Sequence, residues 1–149
     1  LSAVLTTDEI YQAFYHDSTV RGFLHSHSYT GNPLACSAAL ATLAIFETED
    51  VVRRNQDKSA HIMEKMQVLT DFPIRHLRNQ GMIFAVDVIT GNPQFAKQVY
   101  QAAIEQGVLL RPIGNTVYFM PPYTMSEAEA DFMVNATHRV LQGVLEAAR

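Results

Sequence analysis

The run PLACSAALATLAIFE, residues 33–47, constrains this chain more than any other stretch. Asn32 is a good helix N-cap, and Pro33 stands at the first helical position, where its missing N–H costs nothing. From there apolar residues recur at every bearing of the helix rather than along one stripe, so the helix is expected to be buried on most sides. It is too short to span a bilayer, and the nearly uncharged stretch around it, residues 22–46, is interrupted by Ser, His, Thr, Asn and Pro. Such a helix needs neighbours over most of its surface. Only 17% of the residues are charged, where about a quarter is usual for a soluble domain. Part of the surface is therefore expected to be covered by another chain or segment.

With 149 residues, 48% of them hydrophobic, the chain has one domain's length and enough apolar matter for a core. The net charge is −4 and Lys and Arg are scattered, which leaves no basic stripe for nucleic acid. No membrane or secretory signal is read from the sequence. One cysteine, Cys36, excludes an internal disulfide and a Cys-based zinc cluster, and a reducing, cytoplasmic location is expected. The opening LSAVLTT lacks an initiator Met and starts inside an apolar, strand-like run, so a piece of a longer polypeptide is expected.

Along the chain, residues 2–6 read as a short strand. Thr7, Asp8 and Glu9 then open a helix of about two turns, residues 8–15, and a long polar loop covers residues 16–32. After the acidic break ETED, residues 51–69 read as a surface amphipathic helix with Val52, Ala60, Met63, Met66 and Leu69 on its apolar face. From Pro73 the period becomes strand-like. IRHLRNQ and MIFAVDVI meet near Gln80 and Gly81, and QFAKQVYQAAIEQ is a helix closed by Gly107. VLLRPIG and TVYFMPP read as two strands around Gly114 and Asn115, and SEAE opens a last helix with a capping-box pattern. The expected fold class is α/β, with a compact β-β-α-β-β-α unit at residues 73–149.

The candidate functional groups each have a plain alternative. In HSHSYTGNP, residues 25–33, the hydroxyls of Ser26, Ser28, Tyr29 and Thr30 gather with free backbone N–H groups before a helix start, an arrangement that suits phosphate. Small hydroxyls also simply shape surface turns. His25 and His27 alternate as a metal pair would, but no third ligand stands at useful spacing, and solvated or hydrogen-bonded histidine is the default. Arg111 follows the apolar VLL and calls for a carboxylate or phosphate partner, whether a ligand or an internal acid such as Asp87. Tyr118, Tyr123, Pro121 and Pro122 read as a wall beside it, or as plain core. Cys36 reads as a small core residue.

Three blocks, SAVLTTDEIYQAF, FLHSHSYTGNPLACSAALATLAIFE and GVLLRPIGNTVYFMPPY, resemble the C-terminal part of class III aminotransferases over nearly the whole chain. These are fold-type I enzymes that depend on pyridoxal 5'-phosphate. The resemblance implies that Ser28, with Thr30 as a lesser donor, binds the cofactor phosphate of the other subunit of a homodimer. It implies that Arg111 holds a substrate carboxylate, that Tyr118 lines the same pocket, and that His27 borders the substrate, although relatives often have Pro there. It points to the branch of biotin synthesis that acts on 8-amino-7-oxononanoate with S-adenosylmethionine as amino donor. Other ω-amino acid transaminases share much of the pattern.

The same resemblance places the lysine that carries the cofactor upstream of this chain, along with the partner of the pyridinium nitrogen, the stacking aromatic residue and the main phosphate loop. No catalytic residue is then expected here, and the chain alone is expected to be inactive. Lys58, Lys65 and Lys97 lie on expected amphipathic helices and are not substitutes. Residues 1–48 would be the end of the large domain. Residues 49–149 would be an α+β small domain, with a linking helix at about 49–71. The alternative from another class is a non-catalytic carboxylate-binding or regulatory module of the same fold.

Overall fold

The computed structural model describes residues 1–147. The chain divides into two compact units, Leu1–Glu49 and the remainder from Asp50 on. The last two residues of the small domain expected from sequence lie outside the described residues.

The first unit holds helix α1 (Asp8–Phe14), a 3-10 turn (Thr19–Arg21) and helix α2 (Pro33–Thr48). Thr7 caps α1 by accepting from the Ile10 N–H, and Asn32 caps α2 by accepting from the Ala35 N–H at 3.0 Å. The strand expected at residues 2–6 does not form. Those residues are exposed and pair with no other strand among the described residues, and a strand needs a partner backbone. The helix at 33–47 forms as expected, but none of its residues is buried: Leu34 is 80% exposed, Leu40 67% and Leu43 59%. Helix propensity and good caps suffice to form it, while burial needs neighbours that the first unit does not supply.

The second unit contains all of the core. Helix α3 (Val51–Lys65) continues as a 3-10 segment (Met66–Asp71), followed by strands β1 (Ile74–Gln80) and β2 (Ile83–Val88), helix α4 (Phe95–Glu105), strand β3 (Thr116–Phe119) and helix α5 (Glu127–Glu146). The strands form one antiparallel sheet in the order β1-β2-β3. Phe84, Val86, Val88, Val117 and Phe119 alternate into the core, where they meet Ile62, Met66, Val99 and Leu141 from the helices. Residues Ala85, Asp87, Thr116 and Tyr118 take the other face. Gly81, at φ +54°, makes the two-residue β1–β2 turn of the kind that needs a left-handed residue at its first position.

Two expectations are corrected here. The buried stripe of α3 runs through Asn55, Ser59 and Ile62 into Met66 and Leu69, whereas Val52 is 61% exposed. The stripe was hidden because two of its members are polar. Ser59 donates to the Gly81 carbonyl at 2.7 Å and accepts from Asn79, so it enters the interior with partners, and Asn55 Nδ2 donates to the Val51 carbonyl while Asn55 Oδ1 is buried without a partner among the described residues. VLLRPIG is not a strand but an extended segment joined to the sheet only by a bridge between Ile113 and Thr116. Pro112 has no N–H to give to a ladder, and the observed order after α3 is β-β-α-β-α.

Candidate functional site

Arg111 is delivered to its place by the end of α4. Gly107 adopts φ +76°, the Val108 N–H reaches back to the Ala103 carbonyl at 2.9 Å and the Gly107 N–H to the Ile104 carbonyl at 3.0 Å. This closure stops the helix and turns the chain outward through Leu109, while Leu110 plugs into the core at 3% exposure. Arg111 then stands exposed at the edge of a cavity of about 540 Å³ that Tyr118, Pro121, Pro122, Met125 and Phe132 also line. Arg111 and Tyr118 thus share one cavity. Among the described residues Arg111 has no hydrogen-bond or ion-pair partner, and Asp87, the internal acid nearest to hand in sequence reasoning, is engaged elsewhere.

That engagement is complete. The Asp87 carboxylate accepts from the Thr116 hydroxyl at 2.7 Å, lies 2.9 Å from His76 Nδ1, and pairs with Arg78 at 3.3 Å. The Thr116 and His76 hydrogen bonds hold its pKa down at about 2, below the usual carboxylate range, with a smaller contribution from Arg78. His76 reaches it from a bulge in β1, where His76 and Leu77 together oppose a single β2 residue and His76 takes a left-handed φ of 52°.

The hydroxyl-rich turn belongs to the first unit, so Ser28, Thr30 and His27 sit in a different unit from Arg111 and Tyr118. The Thr30 N–H bonds the His27 carbonyl at 3.0 Å, the Thr30 hydroxyl accepts from the His27 N–H at 3.3 Å, and the Asn32 N–H bonds the Tyr29 carbonyl at 3.1 Å. Gly31, at φ +70°, lets the chain enter α2. Thr30 is therefore partly spent on its own turn. Ser28 is exposed and its hydroxyl has no partner among the described residues. The His25 and His27 rings meet edge to face at 5.0 Å, and among the described residues no group of three His, Cys, Asp or Glu side chains is placed to hold a metal. No helix among the described residues is long and apolar enough to cross a membrane.

Sequence reasoning missed the contribution of α5 to the cavity and the contact of α3 with the adjoining loop. Phe132 and Met133 line it, and Lys58 on α3 donates to the Tyr123 carbonyl at 2.6 Å across 65 residues of chain. No local pattern signals a contact at that separation.

Residues 1–141 match the family model described as Aminotransferase class-III. An adenosylmethionine-8-amino-7-oxononanoate aminotransferase from Helicobacter pylori is 43% identical over 87% of this chain and 31% of its own length. The namesake from Methanocaldococcus jannaschii is 33% identical over 95% of this chain and 33% of its own. The crystal structure of the M. jannaschii protein superposes with a TM-score of 0.82 at 30% identity, covering 93% of this chain and 34% of that one. A thermostable (S)-enantioselective omega-transaminase from Thermomicrobium roseum does so with 0.79 at 25% identity, covering 93% and 33%. The chain thus spans about a third of the length of the relatives it matches. With the α/β fold shared with solved transaminases and a family match running from the first residue to the last helix, the chain belongs to the class III aminotransferases.

Proposed function

We propose that this chain forms the C-terminal part of a pyridoxal 5'-phosphate-dependent aminotransferase of biotin synthesis. The enzyme converts 8-amino-7-oxononanoate to 7,8-diaminononanoate with S-adenosylmethionine as amino donor. The observation that carries the reading is Arg111, a guanidinium without a partner among the described residues, at the edge of a largely apolar cavity beside Tyr118. Its planar fork matches the two oxygens of a carboxylate. A chain gripped at one end in this way presents its other end at a fixed distance, which converts much of the orientation cost of the reaction into binding. Tyr118 lines the pocket, and His27 borders the substrate from the turn. Ser28, with Thr30 second, donates to the cofactor phosphate of the partner subunit in a cytoplasmic homodimer.

Bound pyridoxal phosphate supplies the electron sink for the amino transfer. Residues 1–48 are the end of the large domain and residues 49–149 the small domain. Lys58 donates to the Tyr123 carbonyl and Lys65 pairs with Asp131, and on this reading neither of them nor Lys97 is the cofactor lysine, which the family carries upstream. The chain alone is inactive on this reading. The test is a pyridoxal-phosphate titration followed by borohydride, on this chain and on one extended upstream to the family's lysine. Covalent retention only in the longer chain supports the reading, and stoichiometric retention in the short chain overturns it. The likeness to an omega-transaminase favours one second reading, an enzyme of the same family with a different donor. Amino transfer to 8-amino-7-oxononanoate from S-adenosylmethionine, against transfer from a simple ω-amino acid, separates the two.

A further inference from the structure

The cavity around Arg111 has one wall formed by an irregular loop. Residues 121–125 pass from β3 to the start of α5, and Pro121, Pro122, Thr124 and Met125 line the cavity. Pro121 and Pro122 contribute no N–H, so this loop has few donors with which to brace itself. Across the loop the Met125 N–H bonds the Pro122 carbonyl at 3.1 Å. The half-buried Lys58 reaches it from α3 and donates to the Tyr123 carbonyl at 2.6 Å. Ion-to-carbonyl bonds of this kind are among the stronger ones available to a loop. Beyond the loop, Glu129 accepts from both the N–H and the hydroxyl of Ser126 at 2.7 Å and also lines the cavity. The positive charge of Lys58 adds a smaller stabilisation to that carboxylate.

We propose that Lys58 is a positioning residue for the carboxylate cavity, fixing residues 121–125 through the Tyr123 carbonyl and so setting the length of acyl chain that the cavity holds once Arg111 has taken the carboxylate. The inference rests on the reading of Arg111 given under Proposed function. Lys58 does not touch the ligand. It holds in place the prolines and Met125 against which the methylene groups of a longer carboxylate pack, while a short carboxylate depends on Arg111 alone.

The test compares the unaltered chain with Lys58→Met, Lys58→Arg and Arg111→Met, using butyrate and heptanoate as probes in NMR titrations and the Met125 amide as a reporter of the loop. Lys58→Met is expected to speed Met125 hydrogen exchange about tenfold, the scale of one lost charge-assisted bond. It is expected to weaken heptanoate several-fold relative to butyrate, while the Val86 amide in the core exchanges as before. Lys58→Arg, which keeps a cation, is expected to restore both. Unchanged Met125 exchange in Lys58→Met overturns the proposal, and so does faster exchange with an unaltered ratio of heptanoate to butyrate affinity. If the core amides of Lys58→Met also exchange faster, Lys58→Arg decides: loop and selectivity at the unaltered values support the proposal, and a loop as loose as in Lys58→Met refutes it. Heptanoate binding that is indifferent to Arg111→Met refutes the carboxylate reading and the selectivity claim with it. The Met125 exchange then still judges the Lys58 link by itself.

Discussion

Asp87 lies within β2 and Arg111 in the extended segment before β3, and the two charges are treated in opposite ways. Asp87 is only 17% exposed at its side chain and has three partners, whereas Arg111 stands exposed with none among the described residues. A charge fully compensated inside the chain serves the fold, and one left uncompensated at a cavity is available to a ligand. Arg111→Met should therefore weaken binding of a heptanoate probe with little change in melting temperature. A hydrogen-bonded charge is worth roughly 1.5–3 kcal/mol, and the exposure of Arg111 puts the loss at the lower end, about tenfold in affinity. Isothermal titration of both proteins checks this, and equal affinities would remove the carboxylate role. For Asp87 the sign is set by a folded pKa of about 2 against an ordinary value of 3.8. A depressed carboxyl pKa contributes stability that is complete above the unfolded value and is lost as pH falls toward the folded one. Urea midpoints measured from pH 5 down to about pH 2 should thus decline less steeply in Asp87→Asn than in the unaltered chain. Parallel slopes would show that the Thr116 and His76 bonds do not bias the titration.

At the level of elements, the helix ends were readable because their signals are local. In SEAE, Ser126 and Glu129 form the reciprocal capping box, and Gly107 closes α4 in the left-handed conformation. Replacing Ser126 by Ala removes an acceptor for the Glu129 N–H and a donor to its carboxylate. It should cost about 1 kcal/mol of stability, seen as a lower urea midpoint with an unchanged slope. A midpoint equal to that of the unaltered chain would mean that α5 is held by packing alone. Strand identity was harder to read, because a strand exists only through its neighbour's backbone. VLLRPIG and TVYFMPP look alike in sequence, yet only Thr116–Phe119 finds β2 to pair with, and the proline in the other segment blocks a ladder. The buried stripe of α3 was misread for a related reason. Ser59 looks like a surface residue until Gly81 and Asn79 supply its partners. The candidate site divides along the same line. Arg111 and Tyr118 were visible as types in a pattern, whereas Lys58 acts on the cavity only through tertiary contact.

Across the whole molecule the two units differ in what holds them. Every core residue lies at or beyond Ile62, and no residue of Leu1–Glu49 is buried. The second unit therefore has the means to fold on its own, since most of the driving force comes from apolar area withdrawn from water. The first unit keeps Leu34, Leu40, Leu43 and Ile45 of α2 in solvent, a concentration of apolar surface that soluble monomers seldom tolerate. Cooperative unfolding should then report on the second unit alone, while association should report on α2. The pair of substitutions Leu40→Lys and Leu43→Lys is expected to leave the melting temperature unchanged and to reduce the average mass seen by sedimentation equilibrium at high concentration. The unaltered chain is expected to self-associate under the same conditions. A clean monomer for the unaltered chain would mean that its exposed helix is less adhesive than its composition implies, and a fall in melting temperature on substitution would mean that α2 contributes to the cooperative core after all.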